Sequence, residues 1–329
     1  MFDIPVVLFV FRRLDTVKLI FSELEKIKPE KLYIFSDGPR DGKDDEAKMV
    51  DDVRSYINRA VNWDCEYIPV FSQENKGCAE NIISGINTVF KKEKYAIIFE
   101  DDAVPVEEYF SYCEELLKEY ENDKRIQYIA GFNAIGENEI IKEDYAFAKD
   151  APMSGAIAMW ADRWNECDFK MTSWPKRKKD KSLRKYYYNH EIYSYTVKAY
   201  DDSWKNINAG WDYQFHYDQL DKERFAIVPK NNLVTSYGFV DGAFHPQSSH
   251  TAKTLINYMS ANDKRVSKPL QKPAKIVWCR EYDKRRQQLY LKATGTYINR
   301  HVHYVYIAVK DFAYKHLPKK IWNLLKGNK

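Results

Sequence analysis

The 329-residue chain has five cysteines and no Cys-x-x-Cys pair among them. An odd, dispersed set (Cys65, Cys78, Cys113, Cys167, Cys279) argues against a disulfide framework and a structural zinc site, and fits a reducing, cytoplasmic compartment. Long apolar runs are also lacking. Ile4 to Phe11 is too short to span a bilayer and runs into Arg12-Arg13 rather than a cleavage site, so it reads as a first core strand. Charge of one sign is not in excess: 52 Lys and Arg face 48 Asp and Glu, a net charge of +4 that gives no footing for nucleic acid as a partner. Neither G-x-x-x-x-G-K-[ST] nor G-x-G-x-x-G occurs, which excludes the P-loop and dinucleotide fingerprints; any nucleotide must be held another way. No internal repeat or low-complexity linker divides the chain.

What is present begins with alternation. Four β-rich runs, Pro5 to Phe11, Lys31 to Ser36, Glu66 to Phe71 and Tyr95 to Phe99, are separated by helical periodicity. A further one-sided helix over Val106 to Tyr120 is followed by a fifth strand, Gln127 to Ala130. This pattern predicts a doubly wound α/β sheet whose strands deliver functional residues at their carboxyl ends. From about residue 150 the pattern turns irregular and aromatic, as expected of a substrate-side elaboration; 25 Tyr and 8 Trp suit sugar stacking, and a large core explains them equally well. Lys176 to Lys185 carries seven basic residues and one Asp and reads as a solvated or mobile loop, with an anionic acceptor as the lesser alternative. Residues 302 to 329 form a basic amphipathic tail with Trp322, suited to a peripheral membrane anchor or to docking on the core.

The candidate chemistry centres on Glu100-Asp101-Asp102, three carboxylates where a buried strand ends. Within about 10 Å of chain they repel one another unless a cation or hydrogen-bond donors neutralise them. Mg²⁺ or Mn²⁺ carrying a phosphate is one reading, and a solvated strand-to-helix loop is the other. The other strand ends supply Arg12 and Arg13, then Ser36-Asp37-Gly38-Pro39-Arg40, then Asn75-Lys76-Gly77 opening a helix. Asp37 is placed to accept a hydrogen bond from a base or ribose, or else to shape a tight turn. Lys76 and Gly77 offer free backbone N–H groups and a cation to a pyrophosphate, or are an ordinary helix entry. Downstream, Asp212 lies between aromatics, where desolvation would raise its pKa toward that of a general base; a turn Asp is the plain alternative. His245, after a glycine turn, is a metal ligand or a structural histidine.

Taken together, six segments across residues 4 to 250 resemble the GT-A glycosyltransferases, in a bacterial family-2-like branch: PVVLFVF, KLYIFSDGPR, NKGCAENI, IIFEDDAVP, GWDYQF and GFVDGAFH. The Glu-Asp-Asp form and the later Trp-Asp also resemble the N-acetylglucosaminyltransferase I type. The resemblance implies a Rossmann-like mixed sheet flanked by helices, with 1–250 as catalytic unit (1–132 binding the nucleotide-sugar, 133–250 facing the acceptor) and 251–329 as a helical C-terminal extension. It implies that Asp37 contacts a uracil-type base, Glu100 and Asp101 the ribose side, and Asp102 and His245 a Mn²⁺ or Mg²⁺ ion bridging the diphosphate. Asp212 would deprotonate the acceptor hydroxyl, and Gly155 would border the donor sugar. The implied activity is inverting, metal-dependent transfer from a UDP-sugar to a glycan or lipid-linked glycan in bacterial surface polysaccharide assembly. Arg12-Arg13-Leu14 replaces the branch's usual Asn-Arg-Pro, and Ala156-Ile157 replaces a Gly-Trp pair, so donor identity does not carry over. A sugar nucleotidyltransferase shares the sheet and metal logic, but its Gly-rich, Arg-containing loop is missing after the first strand. A non-catalytic carbohydrate-binding protein is the competitor from outside enzymology.

Overall fold

The computed structural model describes residues 2–136, 139–153, 155–206, 211–238 and 266–294. Its centre is an eight-stranded sheet in the order β3-β2-β1-β4-β8-β6-β9-β7. The strands are β1 (Val6–Val10), β2 (Lys31–Ser36), β3 (Glu66–Phe71), β4 (Tyr95–Glu100), β6 (Ile126–Ala130), β7 (Tyr145–Ala148), β8 (Ala156–Trp160) and β9 (Phe225–Pro229). β1 to β4 pair in parallel, as do β6 and β9; β8 lies antiparallel between β4 and β6, and β7 closes the edge antiparallel to β9. The result is the mixed α/β, Rossmann-like architecture expected from the alternation.

β1 is buried along its whole length because helices cover both faces, which is why it reads as an unbroken apolar run. Val6, Leu8 and Val10 pack on the face carrying α1 (Leu14–Ile27), α2 (Asp44–Ala60) and α4 (Glu107–Glu119). Val7 and Phe9 pack on the other face, against α3 (Cys78–Val89) and, further along the sheet, α8 (Asp212–Asp221) and α9 (Arg280–Thr294). Gly85 of α3 is required by this approach: a Cβ there would sit 2.5 Å from the Phe9 ring. β3, at the free edge, is the least buried strand and carries Pro69, which an edge tolerates. A two-stranded sheet of β5 (Ala103–Pro105) and β10 (Val234–Ser236) begins just past the acidic run.

β7 and β8 lie where the sequence looked irregular; they are short and Ala-containing, and their pairing partners are distant in the chain. The basic stretch needs a correction. Lys176 to Lys185 is not a loop but part of α6 (Trp174–Asp180) and a 3₁₀ turn (Ser182–Tyr186). Trp174, Leu183 and Tyr186 bury themselves in a third core with α7 (His190–Lys205) and α8, while Arg177, Lys178 and Lys185 pair with Asp221, Asp201 and Glu223. Those partners lie 23 to 44 residues away, so local charge density gave no hint of them. Among the described residues no helix is long and apolar enough to cross a membrane, and the 302–329 tail lies outside them.

Candidate active site

The carboxyl ends of β1, β2 and β4 bring the sequence-predicted residues to one edge of the sheet. Asp101 is turned inward: its carboxylate accepts the Phe11 N–H at 2.9 Å and the Arg13 guanidinium at 2.6 Å. Arg13 also lies 3.4 Å from Asp102. Burial works against the Arg13 cation, but the charges of Asp101 and Asp102 outweigh it, so its pKa lies above normal. Arg13 and a main-chain donor thus supply part of the neutralisation that the acidic run demands. Arg12 is directed elsewhere, to Glu46, which it shares with Arg40. The Arg40 hydrogen bond holds Glu46 down to about 2, so this group fixes the 38–46 loop as a clamp.

Glu100 exchanges two hydrogen bonds with Gly155: its N–H donates to the Gly155 carbonyl at 2.8 Å, and its carboxylate accepts the Gly155 N–H at 2.9 Å. Gly155 has φ +91°, a conformation that L side chains rarely adopt, and a Cβ would crowd Phe132 and Ala103. Burial, then the charge of Asp102, push the Glu100 carboxyl well above the usual carboxylate range, against the Gly155 N–H that favours the anion. Asp212, at the first turn of α8, faces this cluster closely enough for its charge to act on Glu100. Burial raises the Asp212 pKa, opposed by its hydrogen bond from Tyr213 N–H at 3.0 Å. The exposed thiol of Cys78 feels Glu100, Asp212, Asp102 and Asp101 together, which places the start of α3 beside the same cluster.

The Asp37 loop departs from expectation in one respect. Asp37 is 6% exposed, and its carboxylate accepts the N–H groups of Gly38 (3.0 Å), Lys76 (2.8 Å) and Gly77 (3.0 Å). The backbone donors expected to be free for a pyrophosphate are therefore already engaged. Asn75 completes the lock by donating to the Gly38 carbonyl at 2.7 Å. Gly38 must be glycine, since a Cβ would sit 2.5 Å from the Glu74 backbone. Arg54 of α2, to which no sequence motif pointed, ties the ends of β2 and β3 by donating to Ser36, Asp37 and Ser72 carbonyls and to the Ser36 hydroxyl.

Asp102 sits at the mouth of the site with its side chain 23% exposed. Its carbonyl accepts the Tyr237 N–H at 2.6 Å, and a Cβ at Gly238 would lie 2.8 Å from its carboxylate oxygen. Any other residue there would collide with that oxygen. Among the described residues no group of three His, Cys, Asp or Glu side chains could hold a metal alone, and His245 lies outside them. A hard carboxylate oxygen that is partly exposed at the end of the acidic run fits Mg²⁺ or Mn²⁺ of the kind held by one or two protein carboxylates plus substrate phosphates, which needs no all-protein cage.

No protein-family model and no curated protein matches the sequence. Among solved structures, a UDP-glucose pyrophosphorylase complexed with UDP-glucose is 11% identical over 69% of this chain and 90% of its own, with a TM-score of 0.36. The apo form of UDP-glucose pyrophosphorylase gives 10% over the same shares, again at 0.36. HddC from Yersinia pseudotuberculosis gives 10% identity over 48% of this chain and 78% of its own, at 0.26. Likeness at this level assigns neither a family nor an activity, and the geometry above carries the functional reading.

Proposed function

We propose that the chain is a nucleotide-sugar-dependent enzyme, and specifically an inverting glycosyltransferase that uses a UDP-sugar and a divalent cation. The observation that carries this reading is the run Glu100-Asp101-Asp102 at the end of β4, bonded by the Arg13 cation, with the Asp212 carboxylate near enough for Glu100 to feel its charge. Such a site repels a diphosphate unless a divalent cation accompanies it, and it suits a neutral hydroxyl as the second substrate. A sugar nucleotidyltransferase shares the sheet and the metal logic and is the second reading; pyrophosphate release from UTP and a sugar phosphate would mark it.

In this reading Asp102 and His245 hold Mn²⁺ or Mg²⁺, which when bound stabilises charge on the departing diphosphate. The Asp37 loop, with Arg40, Asn75, Lys76 and Gly77 around it, forms the wall for the base. Glu100 and Asp101 lie on the ribose side, and Gly155 borders the sugar. Asp212 accepts the proton of the acceptor hydroxyl while that oxygen bonds the anomeric carbon and the bond to the diphosphate breaks with its electron pair on UDP. One displacement at one face inverts the anomeric configuration. The raised pKa of Asp212 makes it the stronger base for this step. Residues 1–132 serve the donor and 133–250 the acceptor, with 251–329 as a helical, basic C-terminal extension. The product is a glycan of the bacterial surface.

The test is Asp212→Asn. Transfer from UDP-sugars should be lost while UDP binding stays within about twofold; loss of both together would count against the base assignment.

A further inference from the structure

α6 carries a surface that the proposed reaction does not use. Its Trp174 is buried against Tyr200 of α7 and Tyr217 of α8, and Arg177 and Lys178 turn sideways to Asp221 and Asp201. That leaves Lys176, Lys179 and Lys181 exposed and outside the ion pairs of the described residues, with Asp180 as the acid among them. Lys176 and Lys179 are three residues apart and so share one side of the helix. Like charges held together on an ordered helix repel, and nothing in the fold requires them there. Beside them, one turn beyond the Asp201 that anchors Trp174 and Lys178, Trp204 is 44% exposed.

We propose that this face of α6, with Trp204, docks on a lipid bilayer carrying anionic headgroups. Lysines contribute compact charges to the phosphates, and an exposed indole sits at headgroup depth. The sequence 310–329, with six Lys, one Asp and Trp322, repeats that composition. An anionic glycan acceptor fits the face less well, because acceptors must reach Asp212. Arg177 meets the opposite end of α8, at Asp221, and nine residues of helix separate the two ends by about 14 Å. The preference for lipid over glycan rests on the proposed role of Asp212, whereas the exposed lysines and Trp204 do not depend on it.

The experiment is co-sedimentation of the full chain with vesicles of phosphatidylcholine alone or mixed three to one with phosphatidylglycerol, at low salt. Binding should require phosphatidylglycerol. Replacing the three lysines together (Lys176→Gln, Lys179→Gln, Lys181→Gln) should weaken it about a hundredfold, at about fivefold per lysine, without lowering the unfolding temperature. Trp204→Ala should weaken it several-fold, including at high salt. A chain with Lys319→Gln and Lys320→Gln should keep the dependence on the three α6 lysines. The proposal is overturned if the triple variant sediments like the parent, or if the parent ignores phosphatidylglycerol. It is equally overturned if the α6 lysines govern binding to dextran sulfate but not to vesicles.

Discussion

On the side of β1 to β4, carboxylates are fixed by main-chain N–H groups: Asp37 by three, Asp101 and Glu100 by one each. On the side of α6 to α9, side-chain networks join the main-chain bonds: Trp174 and Lys178 both reach Asp201, and Ser173 and Arg177 both reach Asp221. His216 of α8 is held between the Tyr200 hydroxyl at 2.8 Å and the Lys149 carbonyl at 3.1 Å, and the carbonyl requires the proton to be on Nε2. Lys149 and Asp150 N–H groups in turn end on Asp283 of α9, while Arg286 pairs with Asp150. Main-chain donors resist displacement because each is anchored by the sheet, whereas a side-chain network depends on every member's packing and protonation. A wall anchored on the sheet's main chain beside a half assembled from helices therefore predicts different responses to substitution.

The largest effect should come from the helical half. Trp174→Ala removes a side chain that is 1% exposed and leaves Asp201 without its indole donor, so it should cost about 3–5 kcal/mol in urea unfolding. UDP binding per folded molecule should survive, and its loss would mean that the two halves are not separable. Next, Asp37→Ala strands three N–H groups at the 37–40 and 74–77 loops and should cost about 3 kcal/mol, with UDP affinity falling in parallel. Asp37→Asn keeps one acceptor and should recover part of the loss. Full stability in the Ala variant would show that the loops are held by something else.

A third effect should appear as pH dependence. Burial, then the Asp150 charge, push the Asp283 carboxyl up to about 7, against the N–H donors that favour its anion. Between about pH 4 and pH 7 the native state then holds a proton that the unfolded chain has released, so stability should fall as pH rises across that window. Asp283→Asn should flatten the slope there. An unchanged slope would place the titrating group elsewhere.

The same contrast explains what the sequence revealed. β2 and β3 were legible to the residue, and β1 and β4 to within a residue at each end, because continuous apolar or β-branched runs bounded by turn residues report local geometry. The acidic run was legible as a place where charge must be compensated, but not that Arg13 rather than Arg12 would bond it, since that depends on how the chain leaves β1. Asp37 stood out, yet its engagement with Lys76 and Gly77, about 40 residues on, is tertiary. α6 was misread for the same reason: a run of like charges looks solvated until distant acids and a buried Trp hold it. Arg54 and Gly238 act through contacts that no local pattern announces.

The most direct measurement is the thermal stability of the chain with UDP alone, with Mn²⁺ alone, and with both. A ligand at a hundred times its dissociation constant adds about 2.7 kcal/mol. The account predicts a shift that needs UDP and Mn²⁺ together and is absent with other nucleotides. An equal shift with UDP alone, or none with any nucleotide, would contradict a cation-dependent donor site at Asp102.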